Sequence, residues 1–150
     1  MDVVNSFSFE VGPGETFSLV VWHRSVEAAT ATIREVELAD ADPRLEVVGS
    51  GISPVGLDAP RIAGFPPGPL LPVDGTVVTV DPADPSTDLN IVFGLRSDAT
   101  GQQLDVRGVW MTYEVNGQRY RTRVPWLVSV CITPVESCSA QDPAAYQSVE

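Results

Sequence analysis

VWMTYEVNGQRYRTRV, residues 109–124, decides how this chain folds. Asn116-Gly117 is the residue pair that most readily supplies the two positive-φ positions of a type I′ turn, so the stretch predicts a two-residue β-hairpin. Such a turn fixes the register. Val115 falls opposite Gln118, Tyr113 opposite Tyr120, Met111 opposite Thr122 and Val109 opposite Val124. The other face carries Glu114 opposite Arg119, Thr112 opposite Arg121 and Trp110 opposite Arg123. One face is mostly apolar and the other mostly charged, the pattern of a half-buried antiparallel sheet.

Working outward, the remaining chain reads as further short strands separated by Gly, Pro, Asp and Ser. Residues 3–11 alternate Val3, Phe7, Phe9 and Val11 with polar neighbours. Residues 16–24 are bulky at both parities, which suits a strand inside a packed sheet. Residues 31–38 carry Ala31 and Ile33 at one parity, then Val36 and Leu38 at the other. That switch predicts a β-bulge near Arg34-Glu35; a short helix over residues 26–38 is the rival reading, since the segment is rich in Ala and Glu. Strands are also predicted at 44–49, 76–80, 89–95, 104–115 and 118–124. Pro125 interrupts the last, and residues 126–132 continue it.

Residues 51–75 differ, with six prolines and five glycines interleaved with Ile52, Leu57, Ile62, Phe65, Leu70 and Leu71. This segment is too apolar to float free. It is expected to lie on the domain as a crossover covering a sheet edge, with a proline-binding partner as the alternative. FPPGPLLP, residues 65–72, resembles a polyproline II segment. A chain of 150 residues with 43% hydrophobic content suits one globular domain. The expectation is an all-β, antiparallel β-sandwich of about 7–9 strands over residues 1–138, with residues 139–150 as a frayed tail.

Residues 11–49, with the VGPGET turn before the second strand, resemble the opening half of immunoglobulin-like or fibronectin-III-like modules exported by bacteria, of the actinobacterial type. The YEVNGQRYRTRV hairpin is similar to their last two strands. The resemblance covers most of residues 3–132 and rests on turn and alternation patterns. It departs from antibody domains in having no inter-sheet cysteine pair around a core tryptophan. What it implies is an immunoglobulin-like fold and an extracytoplasmic location, secreted or in an ectodomain, rather than a chemistry.

Net charge is −11, and all nine basic residues are Arg, a bias that a GC-rich genome would produce. The negative field disfavours nucleic acid. Only residues 101–125 are net positive, through Arg107, Arg119, Arg121 and Arg123. Cys131 and Cys138 are spaced for a local disulfide worth about 2.5 kcal/mol in the chain-entropy model. Free thiols are the alternative. With one histidine in the chain, a zinc site is disfavoured. A disulfide would imply an oxidising compartment. There is no apolar run long enough to span a membrane, and no basic n-region with an apolar h-region, so no intact export signal is expected. The strand-like pattern directly after Met1 fits a native cytosolic start or a piece of a longer exported protein, and the reading favours the second.

Catalytic signatures are weak. His23 would have to serve any nucleophile–His–acid triad, and no Gly-x-Ser-x-Gly elbow or phosphate loop is present. Asp81, Asp84 and Asp88 are weak calcium candidates on an ordinary Asp-Pro turn; no metal or other cofactor is expected. The favoured reading is a non-enzymatic module that contacts a protein partner or serves a larger assembly. Its expected surface comprises Trp110, Arg119, Arg121 and Arg123, with Trp126 and Phe65 as further candidates. The plainer reading of that ladder is a solvated face paired with Glu114 and capped by Trp110. Two alternatives remain: a carbohydrate-binding module stacking sugars on exposed Trp110 and Trp126, and a small hydrolase built on His23.

Overall fold

The computed structural model describes residues 5–25 and 27–145. Among them are nine strands: β1 (Asn5–Val11), β2 (Phe17–His23), β3 (Ala29–Leu38), β4 (Glu46–Ile52), β5 (Arg61–Ala63), β6 (Val77–Val80), β7 (Leu89–Arg96), β8 (Gln103–Val115) and β9 (Gln118–Ile132). They form two packed sheets, β1-β9-β8-β3-β6 and β4-β7-β2-β5, so the fold is an all-β sandwich. Every pairing is antiparallel except β1 with β9, which is parallel. Residues 29–38 form β3, and the rival helix does not form there.

The β8–β9 hairpin has the register its turn dictates, with Val115 opposite Gln118 and Trp110 opposite Arg123. Asn116 and Gly117 adopt φ of 51° and 78°. The β3 bulge falls between Ile33 and Glu35, leaving Arg34 as the extra residue. A second irregularity lies between Arg107 and Val109, opposite Pro125. Proline, lacking an N–H, fits in a strand where the ladder is already broken. Gly108 completes this bulge at φ 128°, and a Cβ there would meet Val124 O at 2.8 Å.

The core lies between the sheets. Phe17, Leu19 and Val21 of β2, with Ile91, Phe93 and Leu95 of β7, meet Leu104, Val106, Val124, Trp126, Val128 and Val130 across it. Each fully buried side chain of this size contributes roughly 1.5–3 kcal/mol. Both outer faces are also covered in part. On β9, Leu127, Ser129 and Cys131 alternate with the core residues yet are completely buried.

The segment after β9 lies over this outer face, joined by the Cys131–Cys138 disulfide. Gln141 Nε2 donates to Val106 O and Val128 O, and Ser6 Oγ donates to Gln141 O. The tail expected to fray from Ser139 is therefore tied down at Gln141, because its amide bonds two strand carbonyls. Residues 146–150 lie outside the described residues, as do Val3 and Val4 of the first predicted strand.

The proline-rich segment covers the outer face of the four-stranded sheet rather than only an edge. Ser18 Oγ donates to Gly64 O, and Val20 N–H to Pro60 O. The Phe65 ring sits directly on Gly94 and Gly49, so close that a Cβ on Gly94 would lie 2.5 Å from it.

Candidate binding cleft

Strand length creates the site. At about 3.4 Å per residue, β8 and β9, of 13 and 15 residues, are far longer than β2 and β7, of 7 and 8. The four-stranded sheet ends where His23 pairs Leu89. The hairpin continues, so among the described residues no strand opposes the inner face of the five-stranded sheet there. A cleft of about 970 Å³ results.

Its floor is apolar. Ala31 and Ile33 of β3, Val78 and Val80 of β6, and Met111, Tyr113 and Val115 of β8 line it, with Tyr120 and Thr122 of β9. Tyr113 and Tyr120 are cross-strand partners whose rings stack at 5.6 Å. Tyr113 is half-buried, whereas Tyr120 is 44% exposed. A concave, mostly apolar surface with a few polar groups at its rim is the form that binding sites take.

The rim is charged but internally paired. Arg24 Nε and Nη2 donate to the two Asp88 carboxylate oxygens, each at 2.9 Å. Ser25 Oγ donates to Glu27 O and accepts from Glu27 N–H. His23 is half-buried beside them, and burial holds its imidazole below its ordinary pKa, against the opposing pull of Asp88. Among the described residues His23 has no hydrogen bond to a hydroxyl or a carboxylate, the contact a relay would use.

The residues expected to form the binding surface are distributed differently. Trp110, Arg119, Arg121 and Arg123 do share one face, the outer side of the hairpin, where the Arg121 guanidinium stacks 4.1 Å over Trp110. Arg119 pairs with Glu114, Arg121 with Glu37 and Arg123 with Asp40. Glu114 is also held by Arg34, and these two guanidinium bonds keep its carboxyl below the ordinary range. The ladder is a paired charged face capped by Trp110.

Trp126 is not on that surface. It is 1% exposed, packed against Trp22 at 5.2 Å and Phe7 at 5.1 Å. It shares the parity of Val124 and Val128, which face the core, and Pro125 breaks the ladder without turning the next side chain outward. A two-tryptophan sugar platform is therefore absent. Phe65 is likewise engaged by its own sheet. Asp81 and Asp84 cap turns, through Ala83 N–H and Ser86 N–H respectively, while Asp88 is bound by Arg24. Among the described residues, no three His, Cys, Asp or Glu side chains are gathered to hold a metal ion.

The cleft was the element that sequence reading missed, although the apolar pairs near the hairpin turn signalled it. No described helix is long and apolar enough to cross a membrane. No protein-family model matches this chain, and no curated protein does either.

Proposed function

We propose that this domain is a non-enzymatic, immunoglobulin-like module of an extracytoplasmic protein, and that it contacts a protein partner through the cleft at the hairpin end. The supporting observation is the overhang: Tyr113, Val115, Tyr120 and Thr122 extend the apolar inner face beyond the opposing sheet. Stacked tyrosines supply contact area at low entropic cost. The outer arginine face is a weaker candidate because its guanidinium groups already have carboxylate partners. The Cys131–Cys138 disulfide supports an oxidising compartment.

Selection of a displayed peptide library on the purified domain tests this reading. Thr122→Trp fills the cleft, whereas Arg121→Glu alters the outer face. The recovered peptides should bind the Thr122→Trp protein at least tenfold more weakly and the Arg121→Glu protein nearly as well as the parent. The reverse ranking would move the contact surface to the arginine ladder.

A further inference from the structure

The five-stranded sheet ends at β6, and this edge differs from the other three. β1 carries Glu10, β4 opens on Glu46 and contains a bulge, and β5 is three residues long with Arg61 next to Pro60. These are the devices that block pairing with another chain. β6 is itself only four residues long, but within Val77–Val80 it has no charge, proline or bulge.

Its backbone is set to receive a strand. Ile33 N–H bonds Thr76 O, and Gly75 N–H bonds Ile33 O. Antiparallel alternation then makes Ala31–Val78 and Ala29–Val80 the hydrogen-bonded pairs. The N–H and C=O groups of Val77 and Thr79 consequently point away from β3. Beside this edge runs a slot of about 310 Å³, with Ser53, Pro54 and Leu71 on its far side. Val78, Asp88 and Leu89 line both slot and cleft, so the two are continuous. Val77 and Leu71 are 62% and 42% exposed there.

The segment that carries β6 is acidic. No Lys or Arg occurs between Arg61 and Arg96, a span containing Asp74, Asp81, Asp84 and Asp88. Asp74 and Asp88 are paired with Arg34 and Arg24. Asp81 and Asp84, at the end of β6, accept only from backbone N–H and hydroxyl groups among the described residues.

We infer that β6 is an acceptor edge for an extended, cationic polypeptide segment, which adds as a sixth strand along Val77–Val80 and places alternate apolar side chains in the slot and the adjoining cleft. This rests on the cleft being the contact surface and names the chemistry of its occupant.

The probe is an N-acetylated, C-amidated peptide of about nine residues alternating valine with lysine, titrated against the whole chain alongside its valine–glutamate counterpart. Amide hydrogen exchange at Val77 and Thr79 is followed on the parent protein, so the result does not depend on a variant folding. The lysine peptide should slow exchange at both amides at least tenfold, bind at least tenfold more weakly to Val77→Pro, and outbind the glutamate peptide. Val77→Pro removes the outward N–H while sparing the bonds to β3.

Absence of binding, unchanged exchange, or equal affinity for both peptides overturns the proposal. So does concentration-dependent dimerisation that Val77→Pro abolishes, since β6 then pairs with a second copy. Binding lost in Thr122→Trp but kept in Val77→Pro would overturn strand addition and leave the cleft reading standing. Loss in Val77→Pro alone would retain the edge and remove the cleft.

Discussion

Single residues here do their work by being small, buried or neutral. Gly94 is required by Phe65, whose ring occupies the space of a side chain at that position. Gly94→Ala should lower stability by about 1–3 kcal/mol, the usual range for overpacking. Adding Gly94→Ala to Phe65→Ala should cost much less than the sum of the two, because the clash is gone. Thermal unfolding of the four proteins measures this, and additivity would contradict the contact.

His23 makes a pH prediction. Its folded pKa lies below its ordinary value of 6.5 because burial disfavours the imidazolium. The unfolded chain therefore binds the proton first. Its contribution is fully present above about pH 6.5 and is lost as pH falls toward the folded value. The melting temperature should drop between pH 7.5 and 5.5, and His23→Gln should flatten that drop. Asp42, Asp84 and Glu114 are also depressed, but from carboxylate values near 4, so their effect enters at lower pH. Trp126 shows what parity could have told. It stands two residues after inward Val124, and Pro125 interrupts the ladder without changing side-chain direction.

At the scale of the element, the hairpin carries its own specification. Asn116-Gly117 set the turn and thereby every cross-strand pair, and the parity switch at Arg34-Glu35 located the β3 bulge within one residue. Neither needs information from elsewhere in the chain. The three-residue β5, the parallel β1–β9 pair and the seat of Phe65 were not legible, because each depends on partners distant in sequence.

The arginine ladder yields a graded prediction. Arg121 is about half exposed and pairs with equally exposed Glu37, so Arg121→Ala should change stability by less than about 1 kcal/mol. The Arg123 side chain is only 7% exposed and donates to both Asp40 and Arg107 O. Its loss removes a charge-assisted hydrogen bond to the part-buried Arg107 O along with the pairing to Asp40, and should cost about 1–3 kcal/mol. Equal effects in chemical denaturation would contradict this difference. The segment after β9 is an element of the same kind: Cys138→Ser should cost about 2.5 kcal/mol, the loop-closure value. The amide of Leu127, on the face it covers, should then exchange faster.

Across the whole molecule, two sheets of unequal length explain both the stability and the site. The short sheet seals the middle of the long one and does not extend over the hairpin end. Loops from residues 53–75 and 133–142 cover opposite outer faces, which makes interior strands of β2 and β9 on both sides. The sandwich itself was legible from strand spacing. The cleft was implicit in the predicted strand lengths, since a hairpin longer than its neighbours must overhang them, but its position required knowing which strands oppose it. The most direct test is an NMR titration of the isotopically labelled domain with a peptide selected on it. The account predicts that shifts concentrate at Val78, Tyr113, Val115 and Tyr120. Shifts confined to Trp110, Arg119 and Arg121 on the outer face would contradict it.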